Sequence, residues 1–506
     1  MSDVGKTEAE LIKNRVEKVE KLRKLKINPY PAKSGKEYSN SRIKEIYTEL
    51  IASSQTITAV GRVMAVRGHG KLKFLDIVDQ SGKLQIILKV DETKRDQKVV
   101  ELIDTGDFVE VSGKVILSNS GEVSLLAKNI KILSKAMRPL PSLWHGIKDE
   151  ETRYRKRYLD LLLNPELRDL FIKKAKFWQV IRDFLIERGF LEVETPVLET
   201  TTGGADANPF MTHHDALDID VFLRISMGEL WQKRLLVAGF DKTFEIGRQF
   251  RNEGISREHL QDYSQMEFYW GYANYDEAMR MVEELYKSIA KEVFGTTKFE
   301  INGFSVDISK KWQKLDYVTM IKRYLKIDVL KASDMELRNK IVKLRLEHRK
   351  SDTRGRMIDA LWKSIRGTIA GPAFLVNHPV EVSPLAKRME KNPKLTERYQ
   401  IIVAGSELGN GYSELNDPID QRERFLEQAE MREQGDSEAQ MNDEDFVEAL
   451  EYGMPPATGF GLSERLFAFL AGKSVRECQL FPLVKPAKPL NENTNLTKNT
   501  NSHKSG

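Results

Sequence analysis

Apolar residues recur every three or four positions in residues 6 to 26, with lysine, arginine and glutamate between them. The apolar positions are Ile12, Val16, Val19, Leu22 and Leu25. This spacing predicts an amphipathic helix that ends before Pro29 and Pro31. The helix can pack on the domain that follows, or its excess of basic residues can contact a polyanion. The pattern is compatible with both interpretations.

From Ile57 onward the pattern changes to short stretches of alternating apolar residues, separated by turns that contain glycine. About five strands within about 80 residues are typical of a small closed barrel such as the OB-fold. Phe74 and Gln85 fall on successive strands, near the basic residues Arg62 and Arg67. An aromatic side chain beside a basic rim is how such barrels bind unstacked bases, and an ordinary core position for Phe74 is equally compatible with the pattern.

A second helical pattern begins after residue 161 and predicts a core helix. Its apolar positions are Phe177, Val180, Ile181, Phe184 and Leu185. Gly189 and the strand LEVETP, which ends at Pro196, follow this helix. Residues 277 to 366 are predicted to be mainly helical and peripheral, and no candidate chemistry is found there.

Residues 244 to 269 predict a long hairpin, because two apolar strands flank a turn at Asn252-Glu253-Gly254. Its loop is rich in charged residues, which is compatible with a solvated loop. Two features favour a binding site. Arg251 ends an apolar strand, where a partly desolvated guanidinium suits a phosphate. Glu267 and Tyr269 alternate on the returning strand and therefore share one face.

Two glycine-rich segments near the C-terminal end carry further polar residues. Residues 406 to 417 hold Glu407, Asn410, Tyr412 and Glu414 on a strand whose glycines permit close approach of a ligand; a glycine-rich edge strand is the alternative. Residues 455 to 470 form a glycine strand that runs into a helix carrying Arg465. Gly459 and Gly461 lack the third glycine of a GxGxxG motif, and no Walker sequence occurs, so neither a Rossmann nor a P-loop nucleotide site is predicted.

Composition narrows the class of protein. The chain has 506 residues and a formal net charge of +5, which predicts two or three domains and permits a polyanionic partner. The single cysteine, Cys478, excludes a disulfide framework and favours a reducing compartment. No apolar run has the length of a membrane span, so we expect a cytoplasmic protein.

The run FRNEGIS from Phe250, followed by His259, Tyr263 and Met266-Glu267, resembles motif 2 of class II aminoacyl-tRNA synthetases, and most closely that of the lysyl branch. The resemblance implies an α+β fold, with an N-terminal OB-fold barrel before a catalytic domain whose antiparallel sheet is flanked by helices. Pro196 is similar to the motif 1 proline at a homodimer interface. In this group the barrel reads the tRNA anticodon, a role that the resemblance implies for Phe74, Gln85, Arg62 and Arg67.

The resemblance also implies an ATP site and a Mg²⁺ cofactor. The residues implied for ATP are Arg251, Glu253, His259, Tyr263, Glu407 and Arg465. Arg251 would bind the α-phosphate and the substrate carboxylate, and Tyr263 and Arg465 would cover the two faces of adenine. Glu253 and His259 would contact adenine and the polyphosphate, respectively. Glu407 corresponds to a magnesium ligand whose usual partner position holds Gln400.

A lysine site is implied by the same resemblance. Its residues are Glu229, Arg251, Glu267, Tyr269, Asn410, Tyr412 and Glu414. Glu229 would receive the α-ammonium group. The two carboxylates of Glu267 and Glu414, with the phenol of Tyr269, suit a long cationic side chain and repel aspartate.

The predicted organisation is an N-terminal helical extension (1–55), an OB-fold anticodon-binding domain (56–137), a linker (138–160), a catalytic domain (161–485) and a disordered polar tail (486–506). The predicted activity is formation of lysyl-adenylate and pyrophosphate from L-lysine and ATP, then transfer of lysine to the 3′ end of tRNA(Lys), by a homodimer. An aspartyl or asparaginyl synthetase would need a cation at Glu414, and a lysine ligase for a translation factor would lack the barrel. A catalytically silent RNA-binding paralogue is the remaining alternative.

Overall fold

The computed structural model describes residues 7–68, 72–89, 97–141, 146–205, 207–254, 256–349, 352–434 and 439–486. The predicted polar tail lies outside these residues, apart from its first position. The chain divides into two compact units, Met1–Arg153 with Tyr158–Leu163, and Tyr154–Arg157 with Asn164–Gly506. Among the described residues, no helix is long and apolar enough to cross a membrane.

Helices of the first unit precede the barrel strands and interrupt them between the third strand and the fourth. They are α1 (Glu8–Lys24), α2 (Asn40–Glu45), α3 (Tyr47–Ser53) and α4 (Gln97–Leu102). The N-terminal helix was predicted correctly, and a capping box between Thr7 and Glu10 begins it. Its buried face packs inside this unit, because Leu22 joins the barrel core and the buried Arg15 guanidinium donates 3.1 Å hydrogen bonds to the carbonyl oxygens of Ala136 and Arg138.

The five strands of the first unit form the closed barrel that the alternating pattern predicts. They are β1 (Thr56–Arg67), β2 (Leu72–Asp79), β3 (Gly82–Lys89), β4 (Phe108–Leu117) and β5 (Val123–Ser134), in the order β1-β2-β3-β5-β4. Alternate residues such as Leu75, Ile77, Leu84 and Ile86 point inward and are buried. Phe74 lies outside this core and is half-buried, so the core interpretation of Phe74 does not apply.

The second unit contains a mixed set of helices and strands. Its helices, with two that the unit boundary crosses, are α5 (Glu150–Arg155), α6 (Arg157–Leu163), α7 (Pro165–Ile186), α8 (Glu229–Val237), α9 (Tyr275–Phe294), α10 (Tyr317–Leu325), α11 (Asp334–Lys343), α12 (Arg354–Arg366), α13 (Pro418–Glu433), α14 (Glu444–Glu451) and α15 (Arg465–Leu470). The segment predicted as a linker, 138–160, therefore contains α5 and the start of α6.

The strands of the second unit build one large sheet and two small ones. They are β6 (Leu191–Glu192), β7 (Leu198–Glu199), β8 (Met211–His214), β9 (Ile219–Leu223), β10 (Lys242–Phe250), β11 (Asp262–Gly271), β12 (Lys298–Ile301), β13 (Phe304–Asp307), β14 (Gln313–Asp316), β15 (Ala373–Pro379), β16 (Arg388–Met389), β17 (Asn392–Val403), β18 (Ser406–Ser413) and β19 (Ala457–Ser463). The large sheet has the order β14-β15-β17-β18-β19-β11-β10-β6, with β16 beside β17. Its central strands are antiparallel.

The main core of the second unit lies between α7, α9 and one face of the large sheet. The predicted core positions of α7, from Phe177 to Leu185, are buried as expected. On β11, Met266 and Phe268 point into this core. Strand alternation therefore directs Glu267 and Tyr269 to the opposite face, where the polar cavity lies.

Candidate active site

The predicted hairpin is confirmed, and two further strands complete a cavity beside it. β10 and β11 pair antiparallel from Lys242↔Trp270 to Phe250↔Asp262. β19 lies between β11 and β18, so Gly459 stands between Tyr269 and Tyr412, and Gly461 stands between Glu267 and Asn410. The absence of side chains on these glycines opens a cavity of about 360 Å³.

One end of the cavity is acidic and buried. The Tyr269 hydroxyl donates a 3.0 Å hydrogen bond to Glu267 Oε2, and the Met227 amide donates one of 3.0 Å to Glu267 Oε1. Tyr412 donates its hydroxyl hydrogen to Glu229. Glu414 is fully buried, and its Oε1 atom accepts no hydrogen bond from the described residues. A buried carboxylate oxygen without a protein donor is a site for a polar group of a ligand or for water.

A lysine that the sequence analysis missed balances part of this charge. Lys233 is fully buried, and its Nζ lies 2.7 Å from Glu229 Oε1 and 2.6 Å from Glu414 Oε2. Its place four residues after Glu229 on α8 is a helical ion-pair spacing that could have revealed half of this contact. The contact between Lys233 and Glu414 could not be predicted from spacing, because Glu414 follows β18, which is distant from α8 in the sequence.

Burial and the interactions between neighbouring charges shift the pKa values of the ionisable groups at the acidic end of the cavity. Burial raises the pKa of Glu414 to about 8, although Lys233 opposes the rise. Burial, followed by repulsion from Glu229, raises the pKa of Glu267 to about 7. Burial lowers the pKa of Lys233, but the attraction of Glu229 and Glu414 outweighs it, so the net shift is upward. Lys233 is thus a permanent cation, and the carboxyls hold protons that a second cation would release.

The other end of the cavity is cationic. Arg251, Tyr263 and Arg465 all line it. The Arg251 guanidinium carbon lies 5.9 Å from the centre of the Tyr263 ring, and its Nε donates a 3.3 Å hydrogen bond to the Ile225 carbonyl. Arg465 forms an ion pair with Glu258 from the hairpin loop. The structure thus brings together three of the residues predicted for ATP.

Two other residues predicted for ATP lie on the exposed hairpin loop. Glu253 and His259 are solvent-exposed and are not part of the cavity wall. His259 Nδ1 lies 2.8 Å from Ser256 Oγ, within the same loop. Partial loss of hydration and then repulsion from Arg465 lower the pKa of His259. The imidazole is therefore mainly neutral at pH 7.

Glu407, the predicted magnesium ligand, lines the cavity but is already engaged by protein groups. Trp362 Nε1 donates a 2.7 Å hydrogen bond to Glu407 Oε1, and Arg366 NH1 lies 3.2 Å from Glu407 Oε2. Gln400 Oε1 lies 3.1 Å from His378 Nε2. Across the described ranges, no three His, Cys, Asp or Glu side chains are arranged to hold a metal ion. This donor set does not fit a divalent ion held by the protein alone.

The remaining polar residue predicted for lysine, Asn410, also lines the cavity. Its Oδ1 accepts a 2.9 Å hydrogen bond from Arg398 Nε. Arg398 was not predicted, and it comes from β17 directly opposite Tyr412. It holds the Asn410 side chain in one orientation at the cavity wall.

On the first unit, three of the four predicted anticodon residues lie near one another on an outer face of the barrel. Arg67 pairs with Phe74 across β1 and β2, and Asp76 pairs with Gln85 across β2 and β3. Because Phe74 and Asp76 are two residues apart on β2, Arg67, Phe74 and Gln85 lie on the same side of the sheet as Asp76. Arg67 NH2 lies 2.7 Å from Asp76 Oδ1. The amide of Gln85 is held from both sides, by Glu122 at 3.0 Å and by the Ser124 hydroxyl at 2.9 Å.

Arg62 lies on the same outer side of the barrel, because its partner Val78 follows the alternation of Phe74 and Asp76, but it stands at the far end of that face. It pairs with Val78 and Phe108, and its guanidinium carbon stands 4.3 Å from the centre of the Phe108 ring. The register places it five residues along β1 from Arg67.

Pro196, the predicted interface residue, is exposed in the second unit. Exposed apolar side chains occur around it in the same segment and in the small sheet β7-β9-β8. They are Leu191, Val197, Leu198, Met211 and Ile219. An exposed apolar patch of this kind is typical of a protein contact.

Comparison with known proteins agrees with this architecture. A family model described as "tRNA synthetases class II (D, K and N)" matches residues 149–485, and one described as "OB-fold nucleic acid binding domain" matches residues 57–133. Relatives named "Lysine--tRNA ligase" include that of Thermotoga maritima, with 43% identity over 95% of this chain and 97% of the relative. Those of Carboxydothermus hydrogenoformans (43% identity, 94% and 98%) and Fervidobacterium nodosum (42%, 93% and 93%) are similar.

The antiparallel sheet with its cavity, together with the OB-fold barrel, is the architecture of a class II aminoacyl-tRNA ligase, and the chain belongs to the class II tRNA synthetases of the D, K and N group. Within that group it belongs to the lysine–tRNA ligase family.

Proposed function

We propose that this chain activates L-lysine with ATP and then transfers the lysyl group to the 3′ end of tRNA(Lys). The observation that carries this proposal is the unpaired, fully buried Glu414 Oε1 in an acidic cavity. A lysine ε-ammonium group is the amino-acid side chain that would satisfy it.

The charge of the cavity supports lysine as the substrate. Glu229, Glu267 and Glu414 supply three carboxyl groups, and Lys233 supplies one permanent cation. One cationic side chain can therefore enter without leaving an excess of positive charge. Aspartate would add a carboxylate to this set and be repelled. A neutral analogue would lack the attraction to an ionised carboxylate that the lysine ammonium group gains, and would therefore bind more weakly.

In the first step, a carboxylate oxygen of lysine attacks the α-phosphorus of ATP, and the bond from that phosphorus to the bridging oxygen of pyrophosphate breaks. Negative charge builds on the phosphate oxygens, so fixed cations stabilise the transition state. Arg251 is proposed to bind the α-phosphate and the lysine carboxylate, and Arg465 and Tyr263 to enclose adenine. Glu253 and His259 are proposed as further contacts of the nucleotide through movement of their loop.

In the second step, a ribose hydroxyl at the 3′ end of tRNA attacks the carbonyl carbon of lysyl-adenylate, and AMP leaves. Phe74 and Gln85 are proposed to stack on and hydrogen-bond an anticodon base, with Arg67 beside them and Arg62 contacting the backbone farther along the barrel. The exposed apolar surface around Pro196 supports a homodimer.

Charging of unfractionated tRNA tests this proposal. Purified protein, ATP, Mg²⁺ and tRNA are incubated with one radiolabelled amino acid at a time, and acid-precipitable label is counted. We expect lysine to label the tRNA, with periodate-treated tRNA as the control, because oxidation destroys the accepting ribose. Labelling by aspartate or asparagine instead, or by no amino acid, would contradict the proposal; the latter result would favour an RNA-binding paralogue.

A further inference from the structure

Arg366 is a cationic residue near the ATP end of the cavity to which the proposed reaction assigns no role. It is the last residue of α12, and its NH1 lies 3.2 Å from the Oε2 atom of Glu407, a residue that lines the cavity. Arg366 stands behind Glu407, which lines the cavity, and its side chain retains about a quarter of its accessible surface (24%). Trp362, one turn earlier on α12, separately binds the other oxygen of Glu407.

Several cations converge at this end of the cavity. Burial lowers the pKa of Arg465, Glu258 opposes this effect, and the nearby charge of Arg366 lowers the pKa further. The charges of Arg465, Arg251 and Arg366 also act on His259. Two of these arginines have carboxylate partners: Glu258 pairs with Arg465, and Glu407 pairs with Arg366. Three guanidinium groups facing two carboxylates form a site for a polyanion.

The same wall is a poor site for a metal ion. Glu407 is a single carboxylate with both oxygens engaged, and Gln400 is neutral and in contact with His378. The positive charge available to the terminal phosphates of a nucleotide therefore comes from arginine side chains.

We propose that Arg366 binds the β- and γ-phosphates of ATP, in place of a divalent ion held by Glu407 and Gln400. This inference rests on the proposed ATP-dependent function. Arg366 would exchange Glu407 for phosphate oxygens when ATP binds, while Trp362 keeps Glu407 in position. A guanidinium presents parallel N–H groups to two oxygens at once, a geometry that suits a phosphate. Binding of ATP by this chain then depends little on free Mg²⁺.

Calorimetric titration with ATP and with AMP, each in excess EDTA and in excess Mg²⁺, tests the proposal. AMP shares adenine and the α-phosphate but lacks the two phosphates assigned to Arg366. We expect the wild-type protein to bind ATP in EDTA. Arg366→Gln should weaken ATP binding in EDTA by about tenfold or more and leave AMP binding unchanged. Arg366→Lys, which keeps the charge but loses the parallel N–H groups, should recover only part of the affinity.

Two further variants separate this role from a structural one. Lys363→Gln removes a cation one turn earlier on the same helix, where Lys363 pairs with Asp359 at 2.7 Å, and should bind ATP like the wild type. The double variant Arg366→Gln/Glu407→Gln avoids an unpaired Glu407 and should bind ATP as weakly as Arg366→Gln. Gln400→Glu supplies a second carboxylate and should make ATP binding more dependent on Mg²⁺.

The outcomes distinguish failure of the role proposed for Arg366 from failure of the proposed function. Wild-type affinity for ATP in Arg366→Gln, or an equal loss of ATP and AMP binding, would overturn the role of Arg366. A wild-type protein that binds ATP only when Mg²⁺ is present would overturn the replacement of the metal. Failure of the wild type to bind either nucleotide in any condition would instead contradict the proposed function itself.

Discussion

At the scale of single residues, the acidic end of the cavity, where lysine is proposed to bind, holds several charged groups that must balance one another in a buried space. Lys233 pairs with Glu229 and Glu414, and Tyr269 holds Glu267 at 3.0 Å. Removing one member of such a buried group leaves another charge uncompensated, which costs far more than removing an exposed ion pair. The substrate specificity therefore depends on a few buried side chains.

Glu414→Gln removes the carboxylate that has an oxygen free for the substrate. We expect the KM for lysine to rise by about a hundredfold, equivalent to about 3 kcal/mol, with little change in the KM for ATP. Steady-state ATP–pyrophosphate exchange measures both constants. Glu390→Gln, at an exposed position of the same unit, is the control and should behave as the wild type. Equal loss for lysine and ATP would indicate a general disruption instead.

The raised pKa values make lysine binding depend on pH. Glu267 and Glu414, with pKa values of about 7 and about 8, are largely protonated at pH 6. The substrate ε-ammonium stays charged to about pH 10, and it binds the ionised carboxylates. The Kd for lysine should therefore fall by about tenfold or more from about pH 6 to about pH 8.5.

Calorimetry at pH 7 in two buffers of different ionisation enthalpy measures the accompanying protons. Release of protons on lysine binding is the expected result. Net proton uptake, or affinity that weakens as pH rises, would contradict the assignment of these carboxyls to the lysine site.

At the scale of elements, the glycines of β19 create the cavity. A side chain at Gly459 would place its Cβ 2.3 Å from Glu414 Oε1 and 2.7 Å from Tyr269 Cε1. Gly459→Ala should therefore displace the lysine-binding groups and raise the KM for lysine by about tenfold to a hundredfold.

The nucleotide end should tolerate this change better than the lysine end, because Arg251 and Tyr263 are not among the nearest atoms to the added carbon. Titration with AMP checks this expectation. Gly367→Ala, where the added carbon meets open space, is the matched control. An unchanged KM for lysine in Gly459→Ala would contradict the described packing.

The elements that could be predicted from the sequence are those with strong local periodicity. The barrel strands, α1, α7 and the 242–271 hairpin repeat their apolar positions at the spacing of the structure they form. The ion pairs of the site were harder to predict, because their two members are far apart in the sequence. Lys233 meets Glu414 only after α8 and β18 come together, and Arg366 meets Glu407 only through α12. Residues 277 to 366, where no candidate chemistry was predicted, supply both side chains that contact the Glu407 carboxylate, Trp362 and Arg366.

The outer face of the barrel should act on tRNA and not on lysine activation. Phe74→Ala removes the proposed stacking surface, and the KM for tRNA(Lys) should rise by about tenfold or more, because stacking of one base contributes about 1–3 kcal/mol. ATP–pyrophosphate exchange without tRNA should be unchanged. Tyr30→Ala alters an exposed aromatic residue of the same unit, whose hydroxyl donates a 3.1 Å hydrogen bond to the Lys135 carbonyl oxygen, and serves as the control. A similar loss in both variants would contradict the assignment of this face.

At the scale of the whole molecule, each compact unit carries its own proposed task, with the anticodon face on the barrel and the chemistry on the large sheet. The exposed apolar residues around Pro196 add a third surface, proposed to join two copies of the chain. Leu198, which is 48% exposed, would occur twice in a symmetric interface, so one substitution has a double effect.

Leu198→Lys should therefore shift the protein from dimer to monomer at micromolar concentration, because two unpaired charges enter an apolar contact. Size-exclusion chromatography with light scattering gives the molar mass directly. Met335→Lys changes a residue that is exposed (73%) on α11 and should leave the dimer intact. A wild-type protein that is monomeric would contradict the proposed interface.

Lysine-dependent ATP–pyrophosphate exchange isolates lysine activation, because it measures adenylation without any contribution from tRNA. Lysine, arginine, aspartate and asparagine are offered separately to the wild-type protein. The acidic cavity predicts exchange with lysine and little with the other three, since each of them lacks a long side chain ending in a compact ammonium group. Exchange supported equally by aspartate or asparagine, or no exchange with lysine, would contradict the account.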